Sequence, residues 1–170
     1  MELRKLAAED AEAFWTLRVQ ALRDHPEAFG MSYEEALATP MGELIERFRS
    51  DITKPDNFVV GLFDGSRLLG TVAFRRESMS KLHHKGMFWS VYVAPELRGK
   101  GMGEAMVRRA IEYAVALPGL EQIDLSVAKS STAARKLYAS LGFEAFAYEP
   151  RALKVGDHYV DEEHMKLQLM

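Results

Sequence analysis

Val91-Tyr92-Val93-Ala94-Pro95-Glu96-Leu97-Arg98-Gly99-Lys100-Gly101-Met102-Gly103-Glu104-Ala105-Met106-Val107 decides the fold. It reads as a buried strand, a basic glycine-rich turn and the opening of an amphipathic helix. Glycines at positions 99, 101 and 103 let the backbone approach a ligand closely and turn several N–H groups the same way. The helix start adds unpaired donors and the positive end of its dipole. With the cations of Arg98 and Lys100, this is the chemistry of a pyrophosphate site. The spacing excludes two phosphate loops. No G-x-x-x-x-G-K-[ST] string is present. In a G-x-G-x-x-G register the third glycine falls on Glu104 or Met106. The remaining pattern is R-x-x-G-x-G, carried by Arg98, Gly101 and Gly103. The plainer alternative is a tight strand-to-helix turn with two solvated basic residues.

The downstream chain decides between these. Ile123 to Val127 alternates apolar and polar residues and reads as a strand. Ser130-Ser131-Thr132 offers cap chemistry for a helix from Ala133 to Leu141, which Gly142 ends. A strand begins at Phe143. The string Ala134-Arg135-Lys136-Leu137-Tyr138-Ala139-Ser140-Leu141-Gly142-Phe143 is similar to the A-x-x-L-Y-x-x-L-G-F signature of the GNAT N-acetyltransferases. R-x-x-G-x-G after Val93-Ala94-Pro95-Glu96 resembles the pyrophosphate loop of that same superfamily. The two signatures stand in the right order, and the resemblance covers most of the chain.

The resemblance implies an α/β (α+β) fold, with a mixed, mostly antiparallel sheet flanked by helices and central strands splayed around acyl-CoA. It implies acetyl-CoA as co-substrate. Backbone donors of Gly99, Lys100, Gly101, Met102, Gly103 and Glu104, helped by Arg98, would hold the pyrophosphate. Main-chain groups near Val91 and Val93 would meet the pantetheine amides, with the Val91 N–H as oxyanion donor. Tyr138 matches the family tyrosine near the sulfur, where it would protonate the departing thiolate. The family commonly has Asn where this chain has Ser131, a shorter side chain for the same contact.

The proton acceptor is less defined. The strand Gly86 to Tyr92 carries no carboxylate, which leaves His84 and Glu77 as candidates. His84 has the better-matched intrinsic pKa. It also reads as a solvated turn residue beside Lys81 and Lys85. Candidate walls for the acceptor are Phe29 and Tyr33, Trp89, and the Glu149–Val155 stretch with Tyr159, Asp161 and Glu162. No metal site is expected: His83 and His84 would face opposite ways on a strand, and His158, Glu162 and His164 have no recognised ligand spacing.

The remaining pattern orders the chain. A strand at Leu3–Leu6 precedes a helix at Glu9–Arg23 that turns Ala13, Phe14, Leu17, Ala21 and Leu22 inward. Short helices follow at Ser32–Ala38 and Met41–Arg49. Phe58–Phe63 and Leu68–Arg75 form a hairpin about Asp64-Gly65. Then come a strand at Lys85–Val93, a helix at Glu104–Ala116 burying Val107, Ala110, Ile111, Ala114 and Val115, and a last strand at Tyr159–Leu169. Nothing divides the 170 residues, so a single N-acetyltransferase domain spanning 1–170 is expected.

Composition narrows the function. A net charge of −3, from 22 basic and 25 acidic residues, is not the footprint of a nucleic-acid binder. The absence of cysteine excludes disulfides, thiolate metal sites and a cysteine nucleophile. No apolar run suggests a membrane segment, so a cytoplasmic location is the default expectation. The expected activity is transfer of acetyl from acetyl-CoA to a primary amine, a small molecule or a peptide, by direct attack on the thioester. A homodimer is left open. The competing reading is a catalytically weak or inactive acyl-CoA-binding sensor or regulatory module.

Overall fold

The computed structural model describes residues 1–170. One seven-stranded sheet, in the order β1-β2-β3-β4-β5-β7-β6, organises the chain. Its strands are β1 (Glu2–Lys5), β2 (Phe58–Asp64), β3 (Arg67–Arg76), β4 (Lys85–Val93), β5 (Gln122–Ala128), β6 (Glu144–Val155) and β7 (His158–Gln168). The helices are α1 (Ala11–Asp24), α2 (Tyr33–Ala38), α3 (Met41–Thr53), α4 (Met102–Val115) and α5 (Thr132–Ser140). Neighbouring strands run antiparallel except β4 and β5, which are parallel.

Both faces of the central strands are covered, because their alternate residues are apolar on both sides, whereas β6 is largely exposed. On one face Val60, Val72, Phe74 and Phe88 pack with Met106, Val107 and Ala110 of α4 and Tyr138 of α5. On the other, Val59, Ala73 and Tyr92 pack with Phe14, Trp15 and Leu17 of α1 and Leu44 and Phe48 of α3. Three inward expectations shift: Ala13 and Ile111 are half-buried, and Val115 is 54% exposed beside the fully buried Ala114. The strand that begins after Gly142 extends to Val155, through Pro150. β6 is an edge strand whose register shifts between Glu149 and Leu153, and an edge irregularity tolerates a residue without an N–H.

β4 and β5 position the site. They pair only at Lys85↔Gln122, Gly86↔Ile123 and Met87↔Asp124, then diverge. His84 closes this end, its carbonyl accepting from the amides of Glu121 and Gln122. Further along β4, Ser90 has φ +50°, and the β3–β4 register shifts between Thr71 and Ala73. This bulge bends the strand away from regular pairing. Its non-glycine residue in the left-handed region is held by two side chains. Thr71 Oγ1 donates to the Ser90 carbonyl at 2.9 Å, and Arg18 Nη1 donates to Ser90 Oγ at 2.7 Å.

Gly86 is the tight point at the closed end. A Cβ there would lie 2.2 Å from Phe74 Cζ and 2.9 Å from the Arg75 carbonyl. Gly86→Ala should therefore destabilise the fold by about 1–3 kcal/mol through overpacking. Chemical denaturation measures this, and an unchanged midpoint would contradict the close approach.

Candidate active site

The gap between β4 and β5 encloses about 240 Å³. Its walls carry Trp89, Ser90 and Val91 of β4, Ser131 beside α5, Tyr138 of α5, Phe29 before α2, Arg18 of α1 and Glu162 of β7. These residues lie far apart in sequence and meet because the sheet order places β7 beside β5 and α1 across β4.

The glycine-rich loop follows β4, beyond the end at which β4 and β5 diverge. Gly99 and Gly101 have φ of +71° and +74°, conformations that suit glycine. The amides of residues 99 to 104 donate to no backbone acceptor, and the first helical bond here runs from the Ala105 amide to the Gly101 carbonyl. A run of unpaired N–H groups at the start of α4 matches the donor set a pyrophosphate needs. The residues present therefore fit the phosphate end of acetyl-CoA. Val93 also lies on β4 beyond its pairing with β5. Its carbonyl accepts from Arg98 Nε at 3.1 Å.

Arg98 has several partners within the protein. Besides the Val93 carbonyl, its guanidinium meets His25 Nε2 at 2.9 Å and lies over the Tyr92 ring. It braces the loop against the end of α1, while Lys100 is exposed. The Ser131 side chain makes no capping bond at the start of α5.

Tyr138 is buried at 6% exposure and packs edge-on against Phe143. Burial pushes its hydroxyl pKa well above the ordinary tyrosine value, so it stays protonated. The helix carrying it is tied to β7 by a two-pronged ion pair, Arg135 to Glu163, at 2.8 and 2.9 Å.

His84 does not join these residues. It sits in the turn before β4, at the closed end of the strand pair and outside the gap. Glu77 lies just beyond β3, where its amide bonds to the Lys85 carbonyl, also away from the gap. The structure instead brings Glu162 to the wall, where burial raises its carboxyl above the usual range, His164 opposes that shift and Glu149 adds to it. Glu149, Glu162 and His164 form one cluster. His164 Nε2 is 2.8 Å from Glu149 Oε2, and its Nδ1 is 3.0 Å from Ser126 Oγ. Protein partners thus occupy both ring nitrogens, and a hydrogen-bonded chain Ser126–His164–Glu149 runs beside Glu162.

Of the expected acceptor walls, Phe29 and Trp89 line the gap itself. Tyr33 lines an adjoining pocket of about 660 Å³, formed by the α1–α2 connection and residues Ala152 to Gly156 of the β6–β7 tip. Arg18 is a wall residue that no motif marks. Its signal was present: it lies on the α1 stripe with Phe14, Ala21 and Leu22, a charge among apolar helical positions.

Residues 12–143 match the acetyltransferase (GNAT) family, and the chain belongs to it. A mycothiol acetyltransferase of Thermobispora bispora is 32% identical over 142 residues, covering 79% of this chain and 43% of that protein. A spermidine N(1)-acetyltransferase of Vibrio cholerae is 28% identical over 82 residues, covering 48% of this chain and 47% of that protein. The chain thus spans less than half the length of these relatives. Among solved structures, a GNAT acetyltransferase from Streptococcus pneumoniae superposes with a TM-score of 0.88 at 16% identity, covering 99% of each chain. YncA from Salmonella typhimurium, solved with its cofactor acetyl-CoA, gives 0.86 at 22% identity, covering 100% of this chain and 94% of that one. Acetyl-CoA is the co-substrate of this family. No helix is long and apolar enough to cross a membrane.

Proposed function

We propose that the chain transfers acetyl from acetyl-CoA to a primary amine by direct attack on the thioester. The observation that carries this reading is the gap itself. One small cavity collects a strand bulge, a protonated buried tyrosine and a carboxylate of raised basicity, next to a row of free backbone donors. Acetyl-CoA supplies the activated acyl group. The loop amides from Gly99 to Glu104 hold the phosphates, and the edges of Val91 and Val93 align the arm. The Val91 N–H, beside the bulge, stabilises the negative charge that develops on the carbonyl oxygen. Glu162 takes the proton that the attacking amine must lose, directly or through one water, and the Glu149–His164 chain lies behind it. Tyr138 gives its proton to the departing sulfur. Ser131 and the acceptor walls Phe29 and Trp89 complete the enclosure, with Tyr33 in the adjoining pocket. The amine class accords with the similarity to a spermidine N(1)-acetyltransferase.

Release of free thiol from acetyl-CoA across a panel of amines tests the proposal. Amine-dependent release is expected. Tight acetyl-CoA binding with no amine-dependent release would make the chain an acyl-CoA-binding module instead.

The role of Glu162 gives a pH dependence. Its pKa is raised, so kcat/KM should fall as pH drops through a value above the ordinary carboxylate range, where the base becomes protonated. Glu162→Gln should lower kcat by about 10²-fold and abolish that acidic limb. An unchanged limb in the variant would move the base elsewhere.

A further inference from the structure

Arg18 and Glu162 are the only charged side chains lining the gap. No ion pair joins them, and the side-chain bond of Arg18 goes to Ser90 instead. Burial alone acts on Arg18, lowering its pKa to about 10, and the charges felt by Glu162 are those of His164 and Glu149. The cavity therefore holds one separated cation and one separated anion, both partly stripped of water. The Arg18 guanidinium bonds to Ser90 Oγ at 2.7 Å, and its Nε has no partner. Its carbon lies 5.8, 5.5 and 5.3 Å from the rings of Trp15, Phe29 and Trp89. Aromatic faces offset part of the cost of burying a cation, but they supply no acceptor for the Nε–H, one prong of its planar donor fork. A fork of that shape pairs with a carboxylate through two parallel hydrogen bonds.

We infer that the acceptor is a small amino carboxylate, its carboxylate docked on Arg18 and its amine directed to Glu162 and the thioester. This rests on the transfer reading above and names its substrate class. Each end of such a zwitterion meets the wall charge of opposite sign, in a cavity of about 240 Å³ that suits a small molecule. A polyamine meets the opposite situation: its cations would be driven against Arg18. The fit is a matter of specificity, since the repelled ligand counts as much as the attracted one.

The test compares L-α-amino acids with their own amides as acceptors, with rates corrected for the fraction of neutral amine. The acids should be preferred at least about 10-fold in kcat/KM, as expected for a charged hydrogen-bonded pair. Arg18→Gln should collapse that ratio towards one, and Arg18→Lys, which keeps the charge without the fork, should reduce it partly. If Arg18 served only to hold Ser90 in the bulge, both members of each pair would slow together and the ratio would persist. That result, or amides accepted as readily as acids by the unaltered protein, overturns the inference while leaving amine acetylation standing. Should Arg18→Gln fail to fold, the ratio measured with Arg18→Lys decides.

A second readout does not need turnover. The chain has two tryptophans, and both flank Arg18. Titration of the protein with the same amino acids, in the presence of CoA, should change tryptophan fluorescence saturably, and at least about 10-fold more weakly for the Arg18 variants. Such binding without any acetylated amine would refute the transfer reading and uphold the carboxylate site. No saturable response would refute the site.

Discussion

Gly101→Val should abolish most acetyl-CoA binding, raising Kd by about 100-fold or more. Gly101 caps α4 in the left-handed region at φ +74°, where a β-branched residue is strained, and a Cβ there meets nothing within 4 Å. The substitution therefore does not clash within the protein. It acts by shifting a backbone whose amides must all face one ligand, and by placing a branched side chain where phosphate approaches. Losing two or three charge-assisted backbone bonds, at about 1.5–3 kcal/mol each, accounts for the expected loss. Gly65→Val is the matched control. Gly65 turns the β2–β3 hairpin at φ +58°, also with nothing within 4 Å of an added Cβ. Both variants should lose similar thermal stability, while only Gly101→Val should lose acetyl-CoA in calorimetry. Equal, near-native affinity in a folded Gly101→Val protein would remove the loop from the cofactor site.

Tyr138→Phe should lower kcat by about 10²- to 10³-fold, the scale of lost general-acid help. Acetyl-CoA affinity should change little, because the ring keeps its contact with Phe143. The burial that raises the tyrosine pKa also keeps the proton on the hydroxyl throughout the neutral range, so Tyr138 itself should impose no alkaline limb near neutrality. An acyl donor whose thiol leaving group has a low pKa should recover part of the lost rate, since it needs less protonation. Turnover at the unaltered protein's rate, under conditions where chemistry limits, would assign Tyr138 to packing alone.

The glycine loop and the helix carrying Tyr138 were legible in the sequence because their signals are local. Gly99, Gly101 and Gly103 announce a tight turn by their spacing, and the helix after them by its periodicity. Tyr138 stands in a short string bounded by cap residues and Gly142. The strand at Lys85–Val93 was bounded as observed, since its alternation carries both ends. β6 was read only at its beginning, because Pro150 interrupts the local pattern that edge pairing with β7 tolerates.

Arg98 and His84 show what local signals leave out. A basic residue beside glycines suggests a phosphate ligand, and the structure adds that the Arg98 guanidinium also meets the Val93 carbonyl and His25, 73 positions away. A histidine next to a central strand suggests a base, but β4 and β5 are joined at its end and open at the other.

The sequence by itself determined the alternating layers, the glycine loop at the start of α4 and the tyrosine of α5, since periodicity and turn chemistry act over a few residues. Only the tertiary structure decided which side chains share the gap. Arg18, Ser90, Tyr138 and Glu162 come from four elements, and no local spacing relates them. They meet because β5 pairs with β7 and parts from β4 beyond Met87. Strand order and a single bulge set that geometry through long-range pairing, where the contribution of each residue depends on partners far along the chain.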